Sequence, residues 1–301
     1  RLGGASATRS TDRPASVPDS CQVLAAALRP SRTGTIMLLR RPFAIATAAA
    51  VAAAGGSVRT RVSATGVAGA GAPRVSRDAS QTVTIAPAEG TPHTATVIGP
   101  IHGLGDTNMG WADAAMHIHS QLPHVKFVLP NAPVVPVTLN GGMAMPSWYD
   151  ITSLDDRTVQ PCAGIEESRA TVTALIDAEV AAGLAHDRIV VGGFSQGGAV
   201  SLFTGLQYPH ALGGVLCMSG YLAAQEKFEL SPAAAATPVA HFHGSDDPTV
   251  RIEWARRSAE HLRAAGVKEY ALKEYESLGH SASMEEIADV VAWLQTRLPQ
   301  P

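Results

Sequence analysis

At 301 residues the chain is long enough for two average domains, yet its composition favours one folded unit preceded by a leader-like stretch. Residues 1–79 hold eleven Arg, no Lys and three Asp, a net charge of +8, whereas residues 80–301 hold twelve basic and twenty-three acidic side chains, a net charge of −11. That acidic balance argues against a phosphate-backbone partner, so no nucleic acid is expected, and the cysteines Cys21, Cys162 and Cys217 are too sparse for a disulfide framework.

The first methionine is Met37. From it, Met37-Leu38-Leu39-Arg40-Arg41-Pro42, the run Phe43 to Ala54 and Gly55-Gly56 give a basic start, a short apolar stretch and small residues suited to cleavage, which is a secretory-signal pattern. Residues 37–77 also carry six Arg and no Asp or Glu, which suits an organellar transit peptide equally well. Both readings stay open, and both place the protein in an organelle or the secretory pathway; a gene-model artefact at this end leaves it cytoplasmic. Twelve mostly Ala positions fall short of the ~20 apolar residues that span a bilayer. Residues 1–79 are therefore expected to be a leader or extension, and residues 80–301 the folded domain.

Thr94 to Ile98 reads as a strand running into the glycine-punctuated loop His102-Gly103-Leu104-Gly105-Asp106-Thr107, which can turn backbone N–H groups towards a neighbouring nucleophile. The stretch Trp111 to Leu122 predicts a helix with Ala114, Ile118 and Leu122 on one face, and Val125 to Leu129 a second strand. Val134 to Ile151 is apolar but irregular. It is expected either to pack down as core or to wall an acyl-binding groove through Met143, Met145 and Trp148. A helix follows over Glu166 to Ala182, with Ala170, Leu175, Ile176 and Val180 as its buried stripe.

Arg188 to Val191 is a β-branched run, and Val200 to Leu206 an apolar-periodic one. Between them, Gly193, Ser195 and Gly197 fit the G-x-S-x-G turn from strand to helix, in which small neighbours let the backbone reverse tightly and lift a serine hydroxyl clear of the sheet. Further strands are expected over Leu212 to Met218, Thr237 to His243 and Tyr270 to Tyr275, with helices over Arg251 to Ala265 and Met284 to Leu298. Asp246 and Asp247 follow one of these strands and can orient an imidazole or cap the next helix; His280 follows another. This alternation predicts an α/β fold, a mostly parallel central sheet with helices on both faces and the candidate residues after strand carboxyl ends. The pairs His117-x-His119 and His241-x-His243 lack further ligands at suitable spacing, so no metal is expected.

The order Ser195, Asp247, His280 is that of α/β-hydrolases. Together with His102 to Thr107, Pro146-Ser147-Trp148-Tyr149-Asp150, Gly193 to Gly198, His243-Gly244-x-x-Asp247-Pro248 and Gly279-His280-Ser281, it resembles the acyl-protein thioesterase, lysophospholipase and carboxylesterase family over residues 92–298. The resemblance implies Ser195 as nucleophile, His280 as general base and acid, Asp247 rather than Asp246 as its orienting group, and the N–H groups of Leu104 and Gln196 as an oxyanion hole. It implies an acylated protein or lysophospholipid as substrate, transient contact with a membrane surface, and no metal or cofactor. The alternatives are a short-chain carboxylesterase and a hydrolase-like binding module without catalysis. One departure is Gly99-Pro100, where relatives tend to have an unbroken apolar run: either the strand ends at Ile98 with a bulge, or the gene model carries a splice error there.

Overall fold

The structure, a computed structural model, describes residues 71–301. Met37 and the apolar run after it lie outside the described residues. Ten strands are described: β1 (Arg74–Arg77), β2 (Val83–Ala86), β3 (Ala95–Ile101), β4 (Val125–Leu129), β5 (Val134–Val137), β6 (Met143–Pro146), β7 (Ile189–Phe194), β8 (Gly214–Met218), β9 (Val239–Gly244) and β10 (Tyr270–Tyr275). Five α-helices accompany them: α1 (Met109–Gln121), α2 (Ile165–Ala181), α3 (Gln196–Gly205), α4 (Ile252–Ala265) and α5 (Met284–Arg297).

Eight strands form one sheet in the order β1-β2-β4-β3-β7-β8-β9-β10. From β4 to β10 every pairing is parallel, while β1 and β2 add an antiparallel edge. Successive side chains of a strand point to opposite faces, and the core divides accordingly. Val97, Phe127, Val190 and Leu216 pack with α1 and α5, whereas their neighbours Ile98, Val128 and Val191 pack with α2 and α3. Val215, Cys217 and Val239 meet Leu202 of α3 and Ala259 and Leu262 of α4. Helices thus cover both faces, as the near-continuous apolar strands require.

Three expectations need correction. Arg74–Arg77, placed in the leader, is an edge strand paired with Val83–Ala86; all four of its residues are exposed, so no apolar pattern marked it. Val134 to Ile151 is not irregular throughout, because β5 and β6 pair as an antiparallel hairpin. In α2 the buried residues are Ile165, Ser168, Val172, Ile176 and Glu179; Leu175 and Val180 are only partly buried, and Ala170 faces solvent.

The strand before the glycine loop does not stop at Ile98. β3 continues to Ile101 through a cis Gly99-Pro100 bond, and its pairing with β7 shifts register between Ile98 and Ile101. Gly99 makes that kink possible: its φ is +136°, and a Cβ there would stand 2.0 Å from the Gly192 carbonyl oxygen. The irregularity therefore lies inside a strand that resumes and delivers its end beside the β7 turn. Among the described residues, no helix is long and apolar enough to cross a membrane.

Candidate active site

Strand order reverses around β3 and β7, since β3 is followed outward by β4 on one side and β7 leads to β8, β9 and β10 on the other. The loops after β3, β7, β9 and β10 carry Leu104, Ser195, Asp247 and His280 respectively. This is the switch point at which open α/β sheets bind ligands.

Ser195 sits between β7 and α3 with φ 56° and ψ −118°, a conformation a non-glycine residue rarely takes. Its neighbours make the turn possible. A Cβ on Gly193 would lie 2.5 Å from the Gly197 carbonyl carbon, and one on Gly197 would lie 2.0 Å from the Ile101 carbonyl oxygen. The Ser195 N–H donates to the Met218 carbonyl at 2.8 Å, tying the turn to β8. All ten residues of α3 are buried, and its N-terminus points its partial positive charge at the serine.

The structure brings Ser195, His280 and Asp247 into one line. Ser195 Oγ lies 2.9 Å from His280 Nε2, and His280 Nδ1 lies 2.6 Å from Asp247 Oδ2. Asp247 is 4% exposed, and its other oxygen accepts the N–H groups of Thr249 and Val250, both at 2.8 Å. Burial alone pushes its carboxyl up, but the His280 hydrogen bond and charge, with these two N–H donors, outweigh it and hold the group below the usual carboxylate range. Asp247 is thus kept ionised, so Nδ1 of His280 carries the proton and Nε2 is free to accept from the serine hydroxyl. Asp246 is paired instead with the hydroxyl of Ser245, in an exposed contact. The Phe194 ring packs on one side of His280, at 4.9 Å between centroids, and on Trp111 at 5.1 Å.

The loop after β3 is held from several directions. His102 is fully buried; its Nε2 accepts the Ala132 N–H at 3.0 Å, which fixes the tautomer and makes Nδ1 the donor to the Gly103 carbonyl at 2.8 Å. Burial, its largest influence, lowers the imidazole's affinity for a second proton, in keeping with a neutral ring. The Gly105 N–H donates to Pro146 at 2.8 Å. Among the described residues, neither the Leu104 nor the Gln196 N–H donates a hydrogen bond, so both remain available to an incoming oxygen.

The three apolar residues expected at an acyl groove are placed differently from one another. Met145 Sδ stands 3.7 Å from where a Gly105 Cβ would be, beside the loop after β3. Met143 is 66% exposed. Trp148 is only 2% exposed, and its indole N–H donates to the His102 carbonyl at 2.9 Å. It lines an apolar cleft of about 520 Å³ with Pro133, Val135, Pro136 and Tyr149, whose lining includes neither Ser195 nor His280. Three of the four paired histidines are taken up by structural bonds, His119 with the Val125 carbonyl, His241 with the Tyr270 hydroxyl and His243 with the Val250 carbonyl, while His117 is exposed. No group of three or more His, Cys, Asp or Glu side chains among the described residues is arranged to hold a metal.

Three contributors were not visible as such in the sequence: the side chains of His102, Phe194 and Gln196. A polar Gln at the start of a wholly buried helix was the available signal, because a buried amide must find partners.

The profile of the phospholipase/carboxylesterase family matches residues 81–298. Acyl-protein thioesterase 1 of Mycosarcoma maydis is 42% identical over 236 residues, covering 73% of this chain and 98% of that protein. Acyl-protein thioesterase 1 of Gibberella zeae is 43% identical over 218 residues, covering 69% and 92%. Among solved structures, Zea mays acyl-protein thioesterase 2 superposes with a TM-score of 0.63 at 31% identity, covering 72% of this chain and 98% of that one. The chain belongs to the phospholipase/carboxylesterase family and is an ester/thioester hydrolase of the α/β-hydrolase fold.

Proposed function

We propose that the protein cleaves long-chain acyl thioesters or esters by a two-step serine mechanism, on an acylated protein or a lysophospholipid. The observation that carries this reading is the continuous hydrogen-bonded line from Ser195 through His280 to Asp247. His280 Nε2 takes the Ser195 proton as Oγ attacks the acyl carbonyl carbon. The carbonyl oxygen becomes an oxyanion and accepts the N–H groups of Leu104 and Gln196, two donors set before the charge develops. Collapse expels the thiol or alcohol, which leaves with the proton from His280. Water then attacks the acyl-enzyme, His280 again taking the proton, and the fatty acid and free Ser195 are released. Asp247 stays ionised throughout and stabilises the imidazolium.

The substrate class rests on the resemblance to acyl-protein thioesterases together with the apolar surroundings of the oxyanion loop, where Met145 stands. Transient contact with a membrane surface belongs to the same reading, supported by the exposure of Val134 (67%) and Met143 on the hairpin.

The test is a side-by-side comparison of kcat/KM on a palmitoylated peptide thioester, a lysophospholipid and a short-chain ester, which measures differential transition-state binding. Preference for either long-chain substrate is expected; preference for the short ester would make the protein a small-ester carboxylesterase. Labelling of Ser195 by a fluorophosphonate probe is expected, and its absence in folded protein would point to a binding module.

A further inference from the structure

The two proposed oxyanion donors come from different loops, and their separation must be fixed by something. Leu104 follows β3, and Gln196 follows β7. Between them lies Ser147-Trp148-Tyr149, directly after β6, and its bonds reach both loops.

On one side the segment is gripped by the Gln196 side chain, which is 2% exposed. Gln196 Oε1 accepts the Trp148 backbone N–H at 2.9 Å, and its Nε2 donates to the Tyr149 carbonyl at 2.7 Å and to Ser147 Oγ at 3.1 Å. Both amide hydrogens and the amide oxygen are thus used, with the side chain standing in for a strand edge. On the other side the Trp148 indole N–H donates to the carbonyl of His102, two residues before Leu104. The segment is itself anchored: Ser147 N–H donates to Pro133 at 3.0 Å, and Ser168 Oγ donates to the Trp148 carbonyl. Gly105 is held at 2.8 Å by Pro146, the residue just before the segment.

We infer that Ser147–Tyr149 is a strap that sets the spacing of the two oxyanion donors, with the Gln196 amide and the Trp148 indole N–H as its positioning residues. Both polar groups are spent on protein partners. The same residue that offers one donor through its backbone uses its side chain to hold the strap, and the strap's indole holds the loop bearing the other donor. A displaced donor weakens an oxyanion contact while leaving the nucleophile and its base in place, so the loss falls on kcat rather than KM. The inference rests on the reading of Ser195, Leu104 and Gln196 given above.

The test uses Trp148→Phe, which removes the indole N–H and keeps an aromatic ring, and Gln196→Met, which keeps length and loses the bonds. Each is measured for kcat and KM, for the pH profile of kcat/KM, and for the affinity of a trifluoromethyl ketone that forms an oxyanion on the serine. Trp148→Phe is expected to lower kcat about tenfold and Gln196→Met about 30- to 100-fold, with ketone affinity falling in parallel and KM and the pH profile unchanged. The double variant should lose less than the product of the two, since both cut one strap. Parental kcat and ketone affinity in folded Trp148→Phe would overturn the inference, as would a change confined to KM. Should Gln196→Met fail to fold, Trp148→Phe decides alone. Ser195→Ala is run alongside: residual turnover near the parental level would sink the reading of the site itself, whereas an inactive Ser195→Ala with unaffected strap variants would sink only the strap.

Discussion

The turn bearing Ser195 and the loop bearing Leu104 lie side by side at the sheet switch point, but they are held in opposite ways. The serine turn is fixed chiefly by close backbone packing. Gly193 and Gly197 leave no room for a Cβ, so the backbone packs against itself and against the Ile101 backbone, and the Ser195 N–H is held by the Met218 carbonyl. The Leu104 loop is fixed from outside, by His102 bonded to Ala132, by the Trp148 indole and by Pro146. Backbone crowding fixes the Ser195 turn, whereas the Leu104 loop depends on side-chain hydrogen bonds with partners 30 to 46 residues away in sequence. The candidate site therefore combines a turn set by backbone packing with a loop held by side chains.

The largest effects are expected along the Ser195–His280–Asp247 line and in the serine turn. Ser195→Ala should lower kcat by roughly 10⁴-fold or more with the thermal midpoint unchanged, since a small side chain is removed from a turn already formed. Asp247→Asn should cost roughly 10³- to 10⁴-fold, because the amide no longer favours the tautomer with Nδ1–H; a steady-state rate comparable to the parent would break the proposed roles. Gly197→Ala tests sterics directly. Its Cβ would be 2.0 Å from a backbone oxygen that cannot swing away, so a stability loss of about 3 kcal/mol is expected, lowering Tm by roughly 6–12 °C.

Substitution in the externally held loop should separate activity from stability less cleanly. His102→Phe strands the Ala132 N–H and the Gly103 carbonyl in the interior, and about 2 kcal/mol of stability together with roughly tenfold in kcat should be lost; denaturant titration and steady-state kinetics read the two. If His102→Phe changes neither, the contrast between the two regions fails.

The smallest effect on rate is expected at α5, the helix that follows the His280 loop. Ser283 Oγ accepts the Glu286 N–H at 3.0 Å and caps it, yet the Glu286 side chain is fully buried, and burial pushes its carboxyl up to about 7. The folded protein therefore holds this proton across the interval from the ordinary Glu value of ~4.3 to about 7. The contribution of this group to stability is greatest below that interval and falls as pH rises through it, by about 4 kcal/mol in all. Glu286→Gln should flatten that fall and raise the denaturant midpoint at pH 8 relative to the parent, with kcat little changed. An unaltered pH dependence of stability would show that the carboxyl is not held in its protonated form.

Much of the site could be read along the chain because its parts obey short-range rules. Glycine spacing around Ser195 and β-branched runs before it announce a strand, a sharp turn and a helix. Alternation of strands and helices gives the parallel sheet, and that sheet puts Asp247 and His280 after carboxyl ends. What could not be read has equally definite causes. β1 has no buried residue and so no periodicity. The hairpin β5–β6 carries Pro136 and Pro146, which disguise its pairing. Trp148 reads as an apolar loop residue, and only the fold shows it buried with its indole N–H bonded to the His102 carbonyl.

Fold class, the serine turn and the order of Ser195, Asp247 and His280 can be read along the chain, because side-chain alternation and the absence of a Cβ act within a few residues. Which aspartate faces His280, how Gly99-Pro100 is accommodated within a continuing strand, and which partners hold the Leu104 loop and the Gln196 side chain emerge only in the folded chain. Those outcomes depend on hydrogen bonds between loops that strand order makes neighbours, and no short stretch of chain contains both partners.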